Sequence, residues 1–140
     1  MVRAGLGFVI GAVIWMPVFF VIAMGFSLVS PDYAAHGQTW MSTGVFEFTA
    51  PQAAANVVFW VLSEVFAGWL TVVVARRREA AWALAAVVLL YLCTLHFVLN
   101  WPQFPWWYNV SVVLTSAPAV LFGGRLAARF TGRGPALVAG

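Results

Sequence analysis

Lysine is missing from this chain, and charge of either sign is scarce. Seven arginines and four acidic residues make up only 8% of its 140 residues, where a soluble domain carries roughly 25%. A water-facing globular surface is therefore excluded. A single cysteine, Cys93, excludes an internal disulfide and any CxxC redox or zinc motif. It lies in an apolar run, as a small buried hydrophobe would. No GxSxG elbow and no glycine-rich phosphate loop occurs. His36, His96, Asp32 and Glu47 are the candidates for a metal site, and they carry no CxxC-like signature. No metal, cofactor or catalytic residue is assigned. The net charge of +3 does not mark a nucleic-acid binder, because the arginines sit at the ends of apolar segments and form no polar face. The two halves show no repeat beyond hydropathy.

What is present is hydrophobic, 64% of the chain. Four apolar runs, about 3–29, 53–75, 80–99 and 106–129, each approach the roughly 20 residues needed to cross a bilayer. The first is about twice as long as the apolar core of a secretory signal, roughly 7–15 residues, so it reads as an uncleaved helix. Within it Gly7 and Gly11 form a GxxxG pair suited to close helix approach, and Pro17 is placed to kink it. Residues 30–52 form the one long polar segment and read as an outer loop. Pro31-Asp32 opens it as a turn, and Pro51 closes it at the next helix start. Residues 44–49 alternate, which suits a short strand or an interfacial segment, with Trp40, Phe46 and Phe48 at headgroup level. The links at 76–79 and 100–105 are too short for anything but antiparallel neighbours. Residues 131–140 read as a loose tail. The expectation is an all-α integral membrane protein, one four-transmembrane-helix antiparallel bundle over residues 1–130.

Arginine placement sets its orientation. Four crossings put Arg3, Arg76, Arg77, Arg78, Arg125, Arg129 and Arg133 on one side, so both termini, and the tail, are expected in the cytoplasm. Arginine in place of every lysine fits a GC-rich bacterial genome. The expected location is a bacterial inner membrane, with the lipid bilayer as the surrounding partner.

Glu64 lies roughly 18 Å of helix from either end of the second run. A carboxyl there costs on the order of 2.5 to 3.5 kcal/mol to insert, which its apolar neighbours offset. It should face inward, and must find a partner or hold its proton. His96, near the outer end of the third run, stacks with Asn100 four residues on. By register it sits roughly 7 Å further out than Glu64, close enough for a bridging water. Glu64, His96, Asn100 and Asn109 form a candidate intramembrane polar site. Trp101, Phe104, Trp106, Trp107 and Tyr108 read either as an aromatic belt or as an apolar binding mouth beside Asn100 and Asn109. Asn109, Val112, Ser116, Ala119, Gly123 and Ala127 make a small-residue stripe along the fourth run.

Two functional classes follow. The reading placed first is a structural or accessory membrane subunit, pairing with a partner membrane protein or a second copy through Gly7 and Gly11 or Ala119 and Gly123. The alternative is a membrane-embedded binding protein or enzyme for a small apolar or amphipathic ligand, using Glu64, His96 and Asn100. A proton-coupled transporter acting as an oligomer stands third. The topology has a direct check. Cysteines introduced at Gly37 and Gly132, on a Cys93→Ala background, should react with an impermeant thiol reagent from opposite sides of the membrane. Labelling from the same side would overturn the crossing number.

Overall fold

A computed structural model of the chain describes residues 2–99 and 103–130. All regular structure among them is helical: α1 (Val2–Ser27), α2 (Pro31–Thr43), α3 (Ala50–Ala75), α4 (Glu79–Cys93, continued by a π-helical turn over Thr94–Leu99) and α5 (Trp106–Phe130). α1, α3, α4 with its continuation, and α5 are long and apolar enough to cross a membrane. They mark a small multi-pass membrane protein. Large apolar side chains such as Val13, Val21, Leu90 and Leu114 are exposed on the flanks of these helices, the surface that lipid would cover.

The polar segment departs from expectation. It contains a helix where a loop was expected, because Pro31 fits the first turn, Asp32 complements the helix N-terminus, and Gly44 ends the helix with φ 74°. Residues 44–49 pair with no strand among the described residues. Their alternation is still real: Phe46 and Phe48 pack on the core, while Val45, Glu47 and Thr49 are exposed. Gln52 then fastens the start of α3. Its Oε1 accepts from the Thr49 amide at 3.0 Å and lies 2.8 Å from His36 Nδ1, which ties α2 to the same turn. At the other end of α3, Arg76 takes a left-handed conformation (φ 56°), and its amide donates to Val72 O at 2.8 Å. Three arginines then suffice to reach α4.

α3 is the axis of the bundle, packed on α1 along one side and α5 along the other. Near the arginine turn the contacts are made by small residues. A Cβ built on Gly68 would lie 2.0 Å from Val120 O, and one on Gly123 would lie 1.9 Å from Val65 O. Gly7 and Gly11 bring α1 against Thr71 and Ala75 in the same way. The two small-residue faces expected to receive a second chain are thus occupied within this one, Ala119 being buried as well. Toward the other end the core changes to aromatics: Trp15, Phe19, Tyr33, Phe59, Trp60 and Tyr108 are all buried. Phe19 stacks on Trp60 with ring centroids 4.1 Å apart, and Trp15 tilts against Trp60 at 5.3 Å. The bundle is narrow where it is built of glycine and alanine, and wide where it is built of tryptophan and tyrosine.

Gly123→Ala should therefore cost about 1–3 kcal/mol, because the added methyl meets backbone that moves only if α3 and α5 separate. Gly5→Ala, with nothing within 4 Å of its Cβ, should be neutral or slightly stabilising. Thermal unfolding of both variants in mild detergent measures the difference, and equal behaviour would refute the close approach.

Candidate functional site

The wide end holds a half-open cavity of about 450 Å³. Side chains from all five helices and from two connecting segments wall it. α1 supplies the Met16–Ser27 side, α2 covers it, Phe46 and Phe48 close one flank, Asn56 and Trp60 of α3 form the floor, and Tyr91, Leu95, His96, Phe104 and Tyr108 complete the wall. Each of these elements is held by aromatic contacts. Tyr33 of α2 lies among Phe26, Phe48 and Phe59, with ring centroids 5.0, 5.1 and 6.2 Å away. Phe104 packs on Phe46 at 4.9 Å and on Tyr108 at 5.5 Å.

Three polar pairs cross between elements inside this apolar shell. The Tyr33 hydroxyl donates to Asn56 Oδ1, joining α2 to α3. Trp60 Nε1 donates to the Tyr108 hydroxyl at 3.1 Å, joining α3 to α5. His96 Nδ1 lies 2.8 Å from Asn109 Oδ1, joining the π-helical turn to α5. The Asn109 amide nitrogen reaches back to Phe104 O at 3.5 Å, which directs its oxygen at the imidazole. An oxygen there needs a donor, so Nδ1 carries the proton and Nε2 presents a lone pair. Nε2 is buried and has no hydrogen-bond partner among the described residues.

Of the expected polar site, His96 and Asn109 come together and Glu64 stays apart. Both Glu64 oxygens are fully buried and unpartnered among the described residues, so no Glu64–His96 hydrogen bond forms. Trp60, one helical turn from Glu64, lines the cavity beside His96, while Glu64 does not. Thr71 Oγ1, two turns along the same face of α3 toward the arginines, is likewise buried without a partner. Asn100 and Trp101 lie outside the described residues. The aromatic group divides: Phe104 and Tyr108 line the cavity, Trp107 is half-buried against the core, and Trp106 is exposed. Among the described residues no cluster of His, Cys, Asp or Glu is placed to hold a metal.

Sequence reasoning passed over Tyr33, Asn56 and Trp60. Asn56 had a signal of its own: with Trp60, Ser63 and Ala67 it follows the i, i+4, i+7, i+11 face that α3 buries. Tyr33 had none, because its position depends on α2 being a helix.

Burial pushes the Tyr33 phenol up to about 12, from an ordinary value near ~10. The folded chain thus holds this proton more tightly than the unfolded chain does. The stability that it contributes is fully present below about 10 and is lost as pH rises through about 12. Phenolate absorbance, taken as wild type minus Tyr33→Phe, should show an ionisation near the upper value. A step near ~10 would mean that α2 does not shield the ring.

Compared with protein-family models, curated proteins and solved structures, the chain matches none.

Proposed function

We propose that this chain is a membrane-embedded binding protein for a small, mostly apolar ligand held at the aromatic end of the bundle. The carrying observation is the cavity. Its 450 Å³ falls within the roughly 300–1,000 Å³ of small-molecule sites, and its aromatic walls with a few convergent polar groups follow the usual pattern of such sites. His96, Asn56 and Tyr108 supply those groups, in place of the Glu64, His96 and Asn100 set expected from sequence. Gly7, Gly11, Ala119 and Gly123, the faces expected to meet a partner, pack within the chain, which favours the binding reading over that of an accessory subunit.

The arginines give the orientation of this proposal. In an antiparallel bundle with both termini cytoplasmic, residues 1–130 form one transmembrane domain and 131–140 a cytoplasmic tail. The cavity then faces the outer leaflet of a bacterial inner membrane. A second reading, proton-coupled transport, has one observation in its favour. Glu64 and Thr71 set polar atoms that have no partner among the described residues along one buried face of α3, between the cavity floor and the arginine end.

Native mass spectrometry of the chain released from mild detergent tests the binding reading. A small apolar species should remain bound at one per chain. It should be lost in Ala23→Trp, which fills the cavity, and kept in Glu64→Gln, which leaves the cavity walls intact. A chain that retains nothing but a stoichiometric protein partner would sink it.

A further inference from the structure

The cavity has a doorway, and its position says where a ligand comes from. Near the arginine end α1 and α4 touch: Gly11 lies against Leu84, and Trp15 meets the Tyr91 ring edge-on at 5.7 Å. Trp15 itself is not among the residues that line the cavity. From Met16 onward on α1 and from Tyr91 onward on α4, side chains line the cavity instead. Along this slot the lining residues are themselves exposed, Phe20 at 44%, Met24 at 68% and Tyr91 at 45%. They lie on helices apolar enough to cross a membrane. The slot therefore opens on the flank that lipid covers, and Met41 of α2, which also lines the cavity and is 79% exposed, marks a second mouth against which the slot must be tested.

The chemistry of the walls narrows the ligand. No described lining residue is Asp, Glu, Lys or Arg, so an ionised head group would be buried without a counter-charge. What the cavity offers is neutral. His96 Nε2 is an acceptor without a donor among the described residues. The Tyr108 hydroxyl accepts from Trp60 and keeps its own proton to donate. His96 and Tyr108 both line the cavity, with ring centroids 5.8 Å apart, and an acceptor beside a donor matches a hydroxyl group, which gives one hydrogen bond and takes another. A ketone or ether satisfies only the donor, and leaves the imidazole unpaired.

We infer that the cavity takes up a neutral, hydroxyl-bearing lipophile sideways from the bilayer, through the slot between α1 and α4, with the hydroxyl at His96 and Tyr108 and the apolar chain along Phe19, Phe20 and Met24. This rests on the binding reading above and adds the head-group chemistry and the route.

The full chain in lipid nanodiscs, with empty nanodiscs as the blank, tests each part separately. Radiolabelled farnesol and farnesyl methyl ether are the probes. Farnesol should bind saturably at one per chain, and the ether about tenfold more weakly, the usual penalty for leaving one buried acceptor unpaired. His96→Phe should bring the two to equal affinity. Alcohol and ether binding alike to the wild type would overturn the hydroxyl assignment and leave the binding reading standing; this comparison needs no variant that must fold. Saturable binding of neither probe would overturn both. For the route, a bulky thiol reagent on Met24→Cys, in a Cys93→Ala background, should slow farnesol uptake at least about tenfold, because that side chain lies on the rim of the slot. The same reagent on Leu28→Cys, exposed beyond the rim, should not. Slowing at Met41→Cys on α2 with none at Met24→Cys would show entry from the water side and overturn the lateral route.

Discussion

The backbone contact between α3 and α5 is the constraint on which the rest of the structure depends. Gly68 meets the carbonyl of Val120, and Gly123 meets that of Val65, with no room for a methyl on either side. In a bilayer, where lipid is as apolar as leucine, such contact is a main source of helix association. It draws two spans to near the minimum separation at one level. α1 joins at the same end through Gly7 and Gly11. Further along, the facing residues are Trp60, Tyr108, Trp15 and Phe19, and the same helices must stand apart to hold them. The cavity follows from this change in side-chain volume along one axis, together with the helix that lies across the wide end.

The hydrogen bonds reinforce the same division. Tyr33 with Asn56, Trp60 with Tyr108, and His96 with Asn109 each join two different elements, and all three belong to the wide end. Interhelical bonds of this kind contribute about 0.6 to 2 kcal/mol each inside membranes. They hold elements that the aromatic rings alone would allow to slide. The narrow end needs no such ties, and there the buried polar atoms of Glu64 and Thr71 are left without partners among the described residues.

Much of this was legible in the sequence, and what was not has physical reasons. The four long apolar helices are written in hydropathy, which depends on composition over many residues and tolerates local error. The small-residue faces of α1 and α5 were also readable. Spacing could not say whether Gly7 and Gly123 would meet the same chain or another. α2 was misread as loop although Pro31, Asp32 and Gly44 all signalled a helix, because a polar stretch between spans draws the loop reading first. At the site, His96, Asn109, Phe104 and Tyr108 were recognised as candidates, but their partners were not. Register placed His96 near Glu64, yet register fixes only height along the axis. What the imidazole meets is the side chain of Asn109, which another helix supplies.

The π-helical turn over Thr94–Leu99 has a consequence of its own. Leu84, Val88, Leu92 and His96 are all buried at intervals of four residues. In an ideal α-helix each such step overshoots a full turn by about 40°, so a stripe of this spacing winds off its face within a few steps. A wider turn absorbs the accumulated rotation and keeps the imidazole above Leu92, in line with Asn109. The angular phase of the helix, and not the identity of the histidine alone, is what delivers the ring to its partner. A chain one residue shorter in this turn would keep every side chain of the site and still aim the imidazole away from the cavity.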